Sequence, residues 1–238
     1  MTRGGGAIGR GEQQGLPRRI PEPREKRRHV SVAQGQSGDP WRMSLELTHE
    51  PVTRATLADH AKIPIAFVVD QILKVTLADG GMGGISLTET TAADQYVKDY
   101  DAIEGEGPAR WADRFDTANW GLIRARQDGH VAGGAVIAWR TPAVHMLDGR
   151  DDVAVLWDIR VAPAQRGTGV GSALFRAAER WAGTRGCAWL KIETQNINVV
   201  ACRFYRQMGC TLGGIDRFAY PDLPDEVQLL WWKALKER

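Results

Sequence analysis

An apolar strand that runs into a glycine-rich turn and then an amphipathic helix is the feature that most restricts what this chain can fold into. Val153 to Val161 is rich in β-branched and apolar residues, and Arg166-Gly167-Thr168-Gly169-Val170-Gly171 follows it. From Gly169 to about Arg185, the apolar residues Val170, Leu174, Ala177, Ala178 and Trp181 recur every three or four positions, the signature of one buried helix face. A strand from Ala188 to Thr194 and a helix from about Asn198 to Met208 extend this to a β-α-β-α run, with Gly209 at the expected C-cap. Two further strands, around Leu212 to Tyr220 and Val227 to Leu235, are separated by Pro221 and Pro224. The pattern predicts an α/β fold.

A turn of this kind between a strand and a helix gathers unpaired backbone N–H groups at the positive end of the helix dipole, which makes an anion site. Glycines let the backbone approach a pyrophosphate closely, and Arg166 can add a charge-assisted bond. A dinucleotide fingerprint is excluded because Ser172 stands where the third glycine belongs, and a P-loop because the chain has no Gly-Lys pair. Taken alone, the loop fits ligand binding and plain helix capping equally well.

The first half is less regular. Ile63 to Val69 and Ile72 to Leu77 read as β-rich, Asp79 to Gly84 as a flexible turn, and Ile85 to Glu89 as a short strand, so a hairpin is expected here. Ala92 to Ile103 and Ala109 to Phe115 carry helical spacing. Trp120 to Arg126 and Val131 to Trp139 are predicted to form a second hairpin, because Asp128-Gly129 supplies the positive backbone angles of a tight turn.

Residues 1–42 have a different composition, with clustered glycines, Pro17, Pro21 and Pro23, and almost no apolar periodicity. They are expected to be a disordered basic extension, either a solvated tail or an upstream addition to a chain whose patterned region opens at Met43. Their net charge of +5 within a total of +2 leaves residues 43–238 slightly acidic, at −3. No strong polyanion partner is implied, although Arg24-Glu25-Lys26-Arg27-Arg28 leaves a minor nucleic-acid or membrane-surface role open. The longest apolar stretch, Val131 to Trp139, is far below the ~18 residues of a spanning helix, and a cytoplasmic location is expected. Cys187, Cys202 and Cys210 are odd in number and lack metal-ligand spacing, so they read as small buried hydrophobes and no metal is expected.

With Trp157-Asp158-Ile159-Arg160-Val161-Ala162-Pro163 before the loop, the segment resembles the acetyl-CoA-binding motif of the GNAT N-acetyltransferases, whose Arg/Gln-x-x-Gly-x-Gly pattern is filled by Arg166, Gly169 and Gly171. Asn198 and Phe204-Tyr205-x-x-x-Gly209 look like the family's second cofactor-side helix, with Cys210 in place of the usual aromatic residue. Glu193-Thr194-Gln195-Asn196-Ile197-Asn198-Val199, Ala201-Cys202, and Thr211 to Asp216 with Tyr220 and Asp225-Glu226-Val227 resemble the streptothricin acetyltransferase branch. That branch would be expected to carry tyrosines where this chain has Leu230 and Trp232.

The resemblance implies a single domain over 43–238 with a mixed central sheet flanked by helices. It implies acetyl-CoA as co-substrate, contacted by Ile159, Val161, Arg166, Gly167, Thr168, Gly169, Val170, Gly171, Asn198 and Tyr205. Tyr205 matches the family's general-acid tyrosine. The base candidates are Asp158 and Glu193, each able to act through water, while Arg160 offers Asp158 a structural ion pair instead. Asp216, Tyr220, Asp225 and Glu226 are the candidates for receiving a cationic small-molecule amine; a solvated loop is the alternative for the three acidic residues. Protein or peptide N-acetylation, and a non-catalytic acyl-CoA-binding module, are the competing functions, and a homodimer is possible. The five histidines show no ligand or triad spacing.

Overall fold

The computed structural model describes residues 44–235, so the expected extension over 1–42 lies outside the described residues. Nine strands and four α-helices follow in chain order: β1 (Leu45–Glu50), α1 (Arg54–Ala61), β2 (Phe67–Leu77), β3 (Ile85–Lys98), α2 (Trp111–Arg114), β4 (Gly121–Gln127), β5 (His130–Ala138), β6 (Val153–Val161), α3 (Val170–Thr184), β7 (Trp189–Gln195), α4 (Val199–Gln207), β8 (Thr211–Asp216) and β9 (Gln228–Ala234). Seven strands form one sheet in the order β1-β4-β5-β6-β7-β9-β8, and β2 and β3 form a separate two-stranded hairpin. The sheet is mixed, since β6 and β7 run parallel while the other neighbours are antiparallel.

Alternating side chains send the central strands into two cores. Ile123, Ala135, Ile137, Ala154 and Leu156 pack under α3 and α4 with Leu174, Phe175, Trp181 and Tyr205. Leu122, Val136, Ala138, Val153 and Val155 pack on the other face with Leu57 of α1, Trp111 and Trp120. Burial on both faces explains why β5 and β6 read as unbroken apolar runs. Gly121 is required by one close approach: a Cβ there would stand 2.4 Å from the Trp181 ring.

The β-α-β-α run is as expected, and so is the β4–β5 hairpin, whose turn residues Asp128 and Gly129 both have positive φ. Three readings are corrected. Ala92 to Lys98 is not helix but the second half of β3, because Tyr96, Val97 and Lys98 face Val69, Val68 and Phe67 across the hairpin. Ile63 to Ala66 is not strand; β2 begins at Phe67 and continues to Leu77 through a register shift between Val69 and Gln71. The strand expected to reach Tyr220 ends at Asp216, whose side chain accepts the Phe218 amide and turns the chain. Helix α1 went unread because its capping box is built from Thr53 and Thr56, without the usual Glu or Gln.

Candidate active site

The parallel ladder between β6 and β7 is short. It joins Val153–Leu156 to Trp189–Ile192 and then stops, although both strands continue. The divergence begins at a β-bulge: β5 residues Val136 and Ile137 face Asp158 and Leu156, so Trp157 is the extra residue. Beyond it, the Ala162 amide bonds the Ala132 carbonyl at 2.9 Å, and antiparallel pairing alternates. Ile159 and Val161 therefore turn their main-chain N–H groups away from β5, into the gap between β6 and β7.

At one end of that gap lies the glycine loop. Gly167 and Gly169 have φ of 80° and 95°, which only glycine adopts without strain, and nothing stands within 4 Å of a Cβ at either. Gly169 caps α3 without any side-chain bond, so the first N–H groups of the helix, at Val170, Gly171 and Ser172, point outward beside the loop. Thr168 donates its hydroxyl to the Gln165 carbonyl at 2.8 Å. The Arg166 guanidinium folds back, bonding the carbonyls of Val161, Pro64 and Ala66. It holds the segment ahead of β2 against the loop. Asn198 caps α4 by accepting the Ala201 amide at 3.1 Å.

The two faces of the gap differ. On the α3–α4 side, Tyr205 is buried against Phe175 and Phe204. Burial, and then the nearby negative charge of Asp158, push its phenol well above the usual range, so it stays protonated at neutral pH.

On the α1 side stands a charged network, of which the sequence suggested only the pair between Asp158 and Arg160. The Asp158 carboxylate accepts His60 Nε2 at 2.7 Å and Arg160 Nε at 2.9 and 3.1 Å. Arg160 also donates to both oxygens of Asp101, at 2.5 and 2.8 Å, and to the Ile63 carbonyl at 3.2 Å. Burial alone would raise Asp158, but the bonds from His60 and Arg160 outweigh it and hold the carboxyl below its ordinary value. Asp158 is thereby committed as an anion to two partners. His60 fits because Gly134 lies beneath its ring.

Glu193 occupies the same side of the sheet on β7 and is half-buried. Its Oε1 accepts the Tyr220 hydroxyl at 2.6 Å; Tyr220 in turn accepts Gln195 Nε2 at 2.7 Å, and the Gln195 carbonyl accepts the Tyr100 hydroxyl. Burial and then the Glu193 charge raise the Tyr220 phenol, which keeps it a donor.

The remaining acidic candidates separate. Glu226 is buried and paired with Lys98 at 2.5 Å, whereas Asp216 and Asp225 are exposed at the loop between β8 and β9. Sequence reasoning did not reach His60, Asp101, Tyr100, Gln195 or Lys98. Each meets a partner 59 to 128 residues away. The Cys202 and Cys210 thiols are pushed up to about 12 by burial and are inert. Among the described residues, no three His, Cys, Asp or Glu side chains converge as a metal site, and no helix is long and apolar enough to cross a membrane.

A family model described as Acetyltransferase (GNAT) family matches residues 88–210. The streptothricin acetyltransferase of Escherichia coli is 29% identical over 169 residues, 70% of this chain and 84% of the relative. The crystal structure of nourseothricin acetyltransferase superposes with a TM-score of 0.61 at 25% identity, covering 80% of this chain and 99% of that one. A Bacillus anthracis structure assigned as a streptothricin acetyltransferase, in complex with acetyl coenzyme A, gives a TM-score of 0.61 at 26% identity over 81% of this chain and 98% of that one.

Proposed function

This chain belongs to the GNAT acetyltransferase family and is an acetyl-CoA-dependent acyltransferase, and from that premise we propose that it acetylates a primary amine of a cationic small molecule of the streptothricin class, by direct attack. The observation that carries the reading is the gap between β6 and β7, open on the main chain of Ile159 and Val161, with a protonated phenol on one face and a carboxylate on the other. Similarity to streptothricin and nourseothricin acetyltransferases supports the acceptor class.

In this reading the pyrophosphate of acetyl-CoA sits on the N–H groups of Gly167 to Gly171 and the start of α3, where the helix dipole favours negative charge. Asn198, as the α4 cap, keeps that helix beside the thioester. Glu193 takes a proton from the acceptor ammonium, directly or through a water. Asp158 is the weaker base, because His60 and Arg160 already satisfy its anion. The freed nitrogen attacks the thioester carbon, and the N–H groups of Ile159 and Val161 stabilise the oxyanion. As the C–S bond breaks, Tyr205 gives its proton to the departing thiolate, and the nitrogen loses its second proton to restore the phenol. One amide, one free thiol and one proton result. Asp216 and Asp225 face solvent beside the Tyr220 loop, suited to hold a second cationic group of the acceptor.

The test follows free thiol release from acetyl-CoA with streptothricin, a neutral primary amine and a peptide with a free N-terminus, alongside thermal shift. Streptothricin is expected to turn over best, and acetyl-CoA at 100 Kd to stabilise the protein by about 2.7 kcal/mol. Gly169→Asp should abolish that shift by placing a side chain and a charge against the pyrophosphate. Better turnover of the peptide would replace the acceptor class, and a thermal shift without turnover of any amine would favour an acyl-CoA-binding module.

A further inference from the structure

Tyr100, Gln195 and Tyr220 form a hydrogen-bonded row that ends on Glu193, and its polarity follows from the carboxylate outward. A carboxylate only accepts, so Tyr220 must spend its single proton on Glu193 Oε1. The Tyr220 oxygen then accepts from its amide neighbour, so the Gln195 NH2 group faces it. The Gln195 carbonyl is left pointing the other way, where it accepts the hydroxyl of Tyr100. No alternative orientation of the amide satisfies all four groups.

The far end of the row is anchored. Tyr100 lies between Lys98, which pairs with Glu226, and Asp101, which grips Arg160 of β6 with both carboxylate oxygens. Its ring packs against Phe67 at 6.0 Å and lies under the Lys98 ammonium at 5.5 Å. Residues 98–101 thus strap together the diverging strands, with Asp101 on β6 and Tyr100 on β7. Among the described residues only Oε1 of Glu193 is engaged. Its Oε2 has no bond among them and is not one of the buried unpartnered atoms, which leaves it open to the gap.

We infer that Tyr100 and Gln195 are positioning residues for acetyl transfer: acting through Tyr220, they fix the Glu193 carboxylate with one oxygen held and the other presented to the acceptor ammonium. The inference rests on the proposed role of Glu193 as the proton acceptor. The other charged and titratable groups around that carboxylate are already paired: Lys191 with Asp148, Lys98 with Glu226, and Asp158 with His60 and with Arg160, which also holds Asp101. None of these is bonded to Oε2.

The experiment compares the full-length chain with Tyr100→Phe, Gln195→Met, Tyr220→Phe and Glu193→Gln, measuring kcat against pH, the KM for acetyl-CoA and the melting temperature. The acceptor is streptothricin, or whichever amine of the panel turns over if streptothricin does not. The ionisation of the acceptor itself is common to all variants. Glu193→Gln should lose about 100-fold or more in kcat. A carboxylate stripped of a donor holds its proton more tightly, so Tyr220→Phe and Gln195→Met should move the acid limb of kcat to higher pH by about one unit. Tyr100→Phe should move it in the same direction by less. The KM for acetyl-CoA should stay within about twofold, which a merely structural defect would not ensure. Superimposable profiles for Tyr100→Phe, Gln195→Met and the parent, with Glu193→Gln inactive, would overturn the positioning role and leave the base assignment standing. Full activity in Glu193→Gln would overturn both. Turnover of a different amine with the shifts intact would remove only the streptothricin assignment.

Discussion

Replacing Arg160 by Met tests whether the charged network beside the sheet is a structural unit. The guanidinium side chain is 1% exposed and bridges Asp158, at 5%, and Asp101, at 27%. Methionine fills a similar volume but donates nothing. Removing one partner of a buried pair costs about 3–5 kcal/mol, chiefly because the remaining charge is stranded. Water can reach Asp101, so the penalty falls mainly on Asp158 and the lower end, about 3 kcal/mol, is expected. For a chain of this size each kcal/mol shifts the melting temperature by roughly 2–4 °C, giving a drop of about 6–12 °C. Adding Asp158→Asn should recover part of it. The pH dependence has a definite sign. In the parent, the folded Asp158 lies below its unfolded value of 3.8, so its contribution is present above that pH and is lost only as pH falls through the lower folded value. In Arg160→Met, Asp158 keeps the bond from His60 but loses both contributions of Arg160, so its carboxyl rises relative to the parent's and the folded variant takes up a proton at higher pH than the folded parent does. The gap between variant and parent should therefore narrow as pH falls into the carboxylate range. A drop under about 2 °C, or a gap that widens on acidification, would refute the stranded-charge account.

Two further outcomes follow from the same geometry. Tyr205→Phe removes a hydroxyl that burial and Asp158 keep protonated, so kcat should fall by roughly 10²–10⁴ while the melting temperature and the acetyl-CoA thermal shift hold; an unchanged rate would reduce Tyr205 to packing. Gly134→Ala would set a Cβ 2.6 Å from His60 Nδ1 and 3.4 Å from the Ile123 carbonyl, so urea melts should show a loss of about 1–3 kcal/mol; an unperturbed midpoint would mean the His60 ring is free to shift.

The elements of the proposed cofactor half were legible because they are contiguous. Strand β6, the glycine loop, α3, β7 and α4 carry their own signals: apolar runs, positive-φ glycines, helical spacing and an Asn cap. The acceptor side carries no such signals. Ala92, Tyr96, Val97 and Tyr100 have helical spacing, yet Ala92 and residues 96–97 are strand because β2, rich in Val, Ile and Leu, needs a partner for its backbone groups. Tertiary pairing overrides local preference there. Tyr100 was consequently assigned to a helix and its side chain to no site.

Charge was the least legible property, because a letter states an ionisable group without stating its partner. In the sequence Asp158 and Glu193 stood as equal candidates for the base, and Glu226 as a candidate for holding the cationic acceptor. In the fold they have three different fates: Asp158 is held by Arg160 and His60, Glu226 by Lys98, and Glu193, among the described residues, by a neutral phenol. A carboxylate paired with a buried cation gains little from taking a substrate proton, since protonation would strand that cation. One held by a phenol loses much less, because Tyr220 can still bond a protonated acid. The difference between a structural carboxylate and one suited to accept a proton therefore lies in the partner each finds across the fold, and for Glu193, the proposed base, that partner comes from the loop between β8 and β9, backed by the hairpin strap.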